Sequence, residues 1–234
     1  MGRVWNALLV LVILASLGMQ VALLLAGGPD VNAVTGGAAA DLPTRFVNLF
    51  SYFTIQSNVL VLVTAIPLVF ASQHDGALWR VLRLDALIGI TVTGVVFATV
   101  LAKLVDPSGV AAWTNAGFHY VAPVLALAGW LLFGPRPRIT WRVVALAFAW
   151  PSAWVAYTLV RGAAIGWYPY PFLDAGTLGY AQVALNIAVI LAASLVLAIM
   201  LRFVDRRLPA TRRDHASQRA ILGRQAARRR ARCR

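Results

Sequence analysis

Phe46-Val47-Asn48-Leu49-Phe50-Ser51-Tyr52-Phe53-Thr54-Ile55-Gln56-Ser57-Asn58, continued by Val59-Leu60-Val61-Leu62-Val63-Thr64-Ala65-Ile66-Pro67-Leu68-Val69-Phe70, runs for 25 residues without a charge. A helix needs about 20 apolar residues to cross the hydrocarbon core, where it must satisfy its own backbone polar groups. The stretch therefore reads as a membrane span. Its first half nevertheless carries Asn48, Ser51, Tyr52, Thr54, Gln56, Ser57 and Asn58. Polar side chains in hydrocarbon are costly, so these must pair with one another, line a cavity or do chemistry.

Outward from this stretch, five further long apolar runs qualify: 4–26, 84–105, 117–133, 141–160 and 178–201. The first is too long for the apolar region of a signal peptide and reads as a span. The chain has 234 residues, 60% of them hydrophobic and 12% charged, with a mean hydropathy of +0.75. Soluble domains carry charge at roughly a quarter of their residues, so water is not the main solvent here. The expected architecture is all-α: a polytopic bundle of six transmembrane helices over 1–205, followed by an Arg-rich tail at 206–234. Cys233 is the lone cysteine, which excludes a disulfide framework. One intramembrane histidine with no glutamate or cysteine beside it makes a metal site improbable, and neither a metal nor any other cofactor is expected.

Arg3, Arg80, Arg83, Arg136, Arg138, Arg142 and the twelve arginines from Arg202 onward alternate across the six spans with only Arg45, Lys103 and Arg161 on the opposite side. Basic residues in short loops stay cytoplasmic, so both termini are expected there. Eight aspartates without a glutamate, and twenty arginines against one lysine, suggest a GC-rich bacterial genome and hence a bacterial inner membrane. The tail is suited to anionic lipid headgroups, at about 1 kcal/mol per basic residue near the surface, or serves as a solvated topology anchor. It has no aromatic residue for bases to stack on, so nucleic acid is not an expected partner.

On a continuous helix at 100° per residue, Asn48, Ser51, Thr54 and Asn58 share one face, which should point into the bundle. His119 is the sole histidine inside a span. Asn115, four residues earlier, lies on its face, and Pro123 leaves the His119 carbonyl without a helical partner. Counted from the span ends, Thr54 is about 12 Å deep and His119 lies about 9 Å nearer the outer surface, so contact is open. Lys103 reads as snorkelling to the interface and Asp174 as a cap for the sixth span. Asp85, the one carboxylate within a span, falls at the cytoplasmic edge of the third, which disfavours a proton-coupled transporter. Pro151 kinks the fifth span. The ring-rich loop from Gly166 to Asp174 reads as an aromatic belt at headgroup level, or else as a lid over a pocket. Helix packing is a second explanation for each of these polar residues, which leaves a non-catalytic lipid-binding or structural membrane protein as the alternative to an enzyme.

The stretch Phe50 to Asn58, the stretch Asn115 to His119 and the loop Trp167 to Asp174 together resemble the bacterial six-span relatives of the androgen-induced (FAR-17a-like) membrane proteins. The resemblance extends over residues 1–205 and leaves the tail uncovered. It implies a threonine hydrolase acting on lipid esters, since animal members cleave fatty acid esters of hydroxy fatty acids with one intramembrane threonine and one histidine. The matching residues are Thr54 and His119; Ala116 stands where animal members are expected to carry a second histidine. A hydroxyl is a poor nucleophile until a base takes its proton, and histidine suits that work. Asn115 or Asp174 would orient the ring, and Asn58 or Gln56 would donate to an oxyanion. The nucleophile elbow G-x-S-x-G is absent, which excludes an α/β-hydrolase.

Overall fold

The computed structural model describes residues 1–30 and 40–210. Six apolar helical units long enough to cross a membrane span Gly2–Leu25, Phe53–Phe70, Ala77–Leu101, Gly109–Phe133, Trp141–Ile165 and Tyr180–Arg207. Among the described residues there is no strand, and the chain is an all-α, multi-pass membrane bundle. Its solvation is inverted. Leu8, Leu11, Leu185, Val189, Val196 and Phe203 are exposed, whereas Asn6, Gln20, Asn48, Asn58, Thr54 and His119 are buried. Such a surface matches lipid rather than water. The reading of the tail as a lipid-headgroup site falls largely on 211–234, outside the described residues.

Helix α1 is Gly2–Leu25. What was expected as one span at 46–70 is two helices, α2 (Leu42–Ser51) and α3 (Phe53–Phe70), parted at Tyr52, whose ψ of 130° is extended. α2 starts on Asp41, which accepts from the Thr44 N–H, with Pro43 in its first turn. The break orphans backbone groups inside an apolar bundle, and side chains take them up. Trp154 Nε1 donates to the Ser51 carbonyl at 3.0 Å, and Gln56 Nε2 to the Phe50 carbonyl at 2.9 Å. The Thr54 N–H donates to Tyr170 Oη at 3.1 Å. The single polar face of 46–58 is therefore not formed. Asn48 accepts from Arg161 at 2.7 Å and Ser51 meets Tyr157 Oη at 2.8 Å, both away from Thr54.

α4 (Ala77–Val96) continues through a π-helical turn, Phe97–Leu101. It begins seven residues before the expected 84, because arginines Arg80 and Arg83 lie within the helix rather than ahead of it. Asp85 is consequently not at the edge: it lies eight residues, about 12 Å, inside. α5 (Gly109–Ala116), a π-helical turn Gly117–Val121 and α6 (Ala122–Phe133) make the fourth crossing. This crossing begins eight residues earlier than the expected 117, which puts His119 about 15 Å from the helix start instead of near the interface. α7 (Trp141–Leu146), capped by Thr140, and α8 (Ala149–Ile165) form the fifth, interrupted just before Pro151. α9 (Ala175–Leu178) is a single turn, and α10 (Tyr180–Arg207) completes the bundle. Asp174 caps α9, accepting from the Gly176 and Thr177 N–H groups, rather than the sixth span itself. With six crossings the start of α1 and the end of α10 lie at one end of the bundle, and the break at Tyr52 lies toward the other.

Candidate functional site

Thr54 is the second residue of α3, so its N–H has no helical partner and its side chain faces the π-helical turn of the fourth crossing. Thr54 Oγ1 lies 3.3 Å from His119 Nε2. The depth gap expected from the sequence closes because the fourth crossing starts earlier and the second starts later than the apolar runs suggest. Both residues are buried, at 2% and 1% exposure, so bulk water does not compete for this contact.

The other ring nitrogen of His119, Nδ1, is 3.1 Å from the Asn115 carbonyl oxygen. A carbonyl only accepts, so Nδ1 carries the proton, and in the neutral ring the Nε2 lone pair faces Thr54. It is the backbone of Asn115 that holds the ring, while the Asn115 amide oxygen is buried without a partner. Phe97 stacks on the imidazole with centroids 3.9 Å apart and 19° between planes. The two π-helical turns thus face each other across the site, one carrying Phe97 and the other His119. Such turns widen a helix by one residue and are frequent at functional sites. Close approach at this level needs small residues. A Cβ on Gly94 would meet the His119 carbonyl at 3.2 Å and Pro123 at 3.1 Å, and one on Gly117 would fall 1.9 Å from Ser16 Oγ.

Tyr170 completes the constellation. Its hydroxyl is 3.2 Å from Thr54 Oγ1 while accepting the Thr54 N–H. Burial pushes its phenol up to about 12, against hydrogen bonds from Thr54 that pull it down, so at neutral pH it keeps its proton. The loop from Gly166 to Asp174 is more than a belt of interfacial rings. Tyr170 and Leu173 turn inward, Tyr52 packs edge-on against Trp167 and Tyr170, and Phe172 stacks on Tyr170. Sequence reasoning placed Tyr170 in this loop without singling it out. Its inward turn comes from Gly166 in the left-handed region (φ 69°), Pro169 and Pro171, signals that say where a chain bends but not what it covers.

The remaining expected site residues are placed as follows. Asn58 Nδ2 donates to the Thr54 carbonyl at 2.8 Å, steadying the first turn of α3. The Gln56 amide is used twice, on the Phe50 carbonyl and by Trp150 Nε1 at 3.1 Å. Asp174 is engaged with Gly176 and Thr177 and makes no contact with His119. Among the described residues no three His, Cys, Asp or Glu side chains converge.

From Thr54 and Tyr170 a narrow apolar groove of about 70 Å³, partly open to the outside, descends between α4, α8 and α10. Its walls include Val92, Val96, Trp150, Trp154, Ile187 and Leu191, and Asp85 lies on its lining. A hydroxyl backed by a tautomer-fixed imidazole at the head of a lipid-facing groove can attack an electrophile on an apolar chain. Comparison with family models, with curated proteins and with solved structures finds no match for this chain.

Proposed function

We propose that the chain is an intramembrane hydrolase of lipid esters, with Thr54 as nucleophile and His119 as base. The observation that carries the reading is the hydrogen bond from Thr54 Oγ1 to the unprotonated Nε2 of a buried histidine whose other nitrogen is tied to a carbonyl. Thr54 Oγ1 would attack the ester carbonyl as its proton passes to Nε2, and the carbonyl electron pair would move onto oxygen. Collapse would expel the alcohol, which takes the proton back from His119. Water, deprotonated by the same nitrogen, would then cleave the acyl-threonine and release the acid. The developing oxyanion would be met by the Tyr170 hydroxyl, at the N-terminus of α3. The groove would take the acyl chain directly from the bilayer.

The resemblance to the FAR-17a-like family points the same way. With the termini cytoplasmic, as the arginine distribution indicates, the site opens toward the outer leaflet. A lipid-binding protein without chemistry would use the same groove, and the variants separate the two readings. In purified protein assayed on p-nitrophenyl and branched fatty acid esters, Thr54→Ala should abolish turnover and labelling by a fluorophosphonate probe, and Thr54→Ser should keep part of both. His119→Ala should lower the rate by about 10² to 10⁴. Unchanged turnover in both alanine variants, or no turnover on any ester by well-folded wild type, would leave the lipid-binding reading.

A further inference from the structure

The groove has a second polar end. Asp85 is 3% exposed, lies on the groove lining, and makes no hydrogen bond or ion pair among the described residues. A buried carboxyl left without a partner costs several kcal/mol in an apolar surrounding, and such groups in a membrane mark ligand or ion paths. The same face of α4 carries Gly89 and Thr93, four and eight residues on, both lining the groove. Thr93 Oγ1 is also buried without a partner. Gly89, between them, lets α3 and the Trp150 ring pack close to α4, since a Cβ there would meet Ser57 Oγ at 2.9 Å and the Trp150 ring at 3.1 Å. Ser194, across on α10, is satisfied by the Ile190 carbonyl at 2.7 Å and offers Asp85 nothing.

Contact across Gly89 sets the length of the groove. Ser57 lies three residues deeper than Thr54 along α3, it meets Gly89, and Asp85 lies four residues deeper again along α4. Seven residues at 1.5 Å each separate the reacting hydroxyl from the carboxyl by about 10 Å along the bundle. An extended alkyl chain advances about 1.25 Å per carbon, so about eight to ten carbons bridge that distance.

We propose that Asp85 is a recognition site for the far end of the bound acyl chain, and that this end carries a hydroxyl about eight to ten carbons from the ester carbonyl. Asp85 lacks a donor, and a hydroxyl is the donor that enters hydrocarbon without carrying a charge. The Thr93 hydroxyl would contact the same chain on its way in. The position of the reacting end rests on the hydrolase reading; the carboxyl site itself does not.

The test compares p-nitrophenyl 10-hydroxydecanoate with p-nitrophenyl decanoate on protein in nanodiscs. Wild type should favour the hydroxylated chain by about 2- to 10-fold in kcat/KM, the worth of a hydrogen bond between neutral groups. Asp85→Leu should lose that preference while retaining turnover of the plain ester, and should melt no lower than wild type because an unpaired carboxyl has been removed. If the leucine variant does not fold, Asp85→Ala, which also leaves no polar group, is read instead and should abolish the preference. Equal handling of both esters by an active wild type overturns the proposal and leaves the hydrolase reading intact. If wild type hydrolyses neither, the hydrolase reading fails and the binding arm decides. Greater thermal stabilisation by methyl 10-hydroxydecanoate than by methyl decanoate, lost in the Asp85 variant, supports the site, and equal stabilisation refutes it.

Discussion

Replacing Tyr170 with phenylalanine deletes one oxygen from the site and leaves the ring packing against Tyr52, Trp154 and Phe172 in place. That oxygen accepts the Thr54 N–H at 3.1 Å and lies 3.2 Å from Thr54 Oγ1. Thr54 Oγ1 retains His119, but the Thr54 N–H is left buried without an acceptor, which costs about 1 to 3 kcal/mol of stability. If Tyr170 does no more than satisfy the helix break, the loss ends there, and the rate per folded molecule stays within a fewfold of wild type. As an oxyanion donor it contributes in the transition state alone, so kcat should fall by about 10² to 10³ with KM nearly unchanged. Stability and chemistry are separable because the two effects appear in different measurements. The assay is steady-state hydrolysis of a p-nitrophenyl ester by protein in nanodiscs, corrected for active sites by fluorophosphonate titration, with a thermal melt of the same sample. A kcat within threefold of wild type, in a variant that melts lower, would refute the oxyanion role and reduce Tyr170 to a cap on the broken helix.

Gly117→Ala would drive a methyl to 1.9 Å from Ser16 Oγ, so it should cost about 1 to 3 kcal/mol and lower turnover by displacing the turn that carries His119. Adding Ser16→Gly should restore both in the same assays; failure to do so would mean that the contact with α1 does not position the histidine. Asp75, bonded to Arg80 and 3.4 Å from Arg138, is held down to about 2, chiefly by the Arg80 hydrogen bond. A depressed carboxyl stabilises the fold above its ordinary value and ceases to as pH falls through the depressed one. The melting gap between wild type and Asp75→Asn, under about 1 kcal/mol for so exposed a pair, should therefore close between pH 4 and pH 2. A gap constant across that range would show that the pair does not stabilise the fold through charge. Reporter fusions at Ser108 and at the C-terminus should report opposite sides of the membrane, and agreement between them would overturn the assigned orientation.

Six crossings were legible in the chain because hydrocarbon imposes one rule everywhere: long apolar runs and a self-satisfied backbone. The same rule singled out Thr54 and His119, since a polar side chain within such a run is an exception wherever it ends up. Composition does not mark where a helix ends when the ends lie in protein. The apolar run from Phe46 looks continuous, yet its backbone breaks at Tyr52, because side chains more than ninety residues away, Trp154 and Tyr170, take up the freed groups. The fourth crossing begins at Gly109, ahead of the run that announces it, and that shift, with the later start of the second crossing at Phe53, brings His119 level with Thr54. Phe97 and Tyr170 carry no local signal of a role, being ordinary aromatics in an aromatic-rich chain, and only the packing of distant segments brings them onto the histidine and the threonine. Asp85 shows the division most plainly. Its presence in an apolar helix is a matter of sequence, but that it lies deep, faces a groove and lacks a partner depends on what α3, α8 and α10 place around it, and a long-range arrangement of that kind is set by the free energy of the whole bundle rather than by any stretch of it.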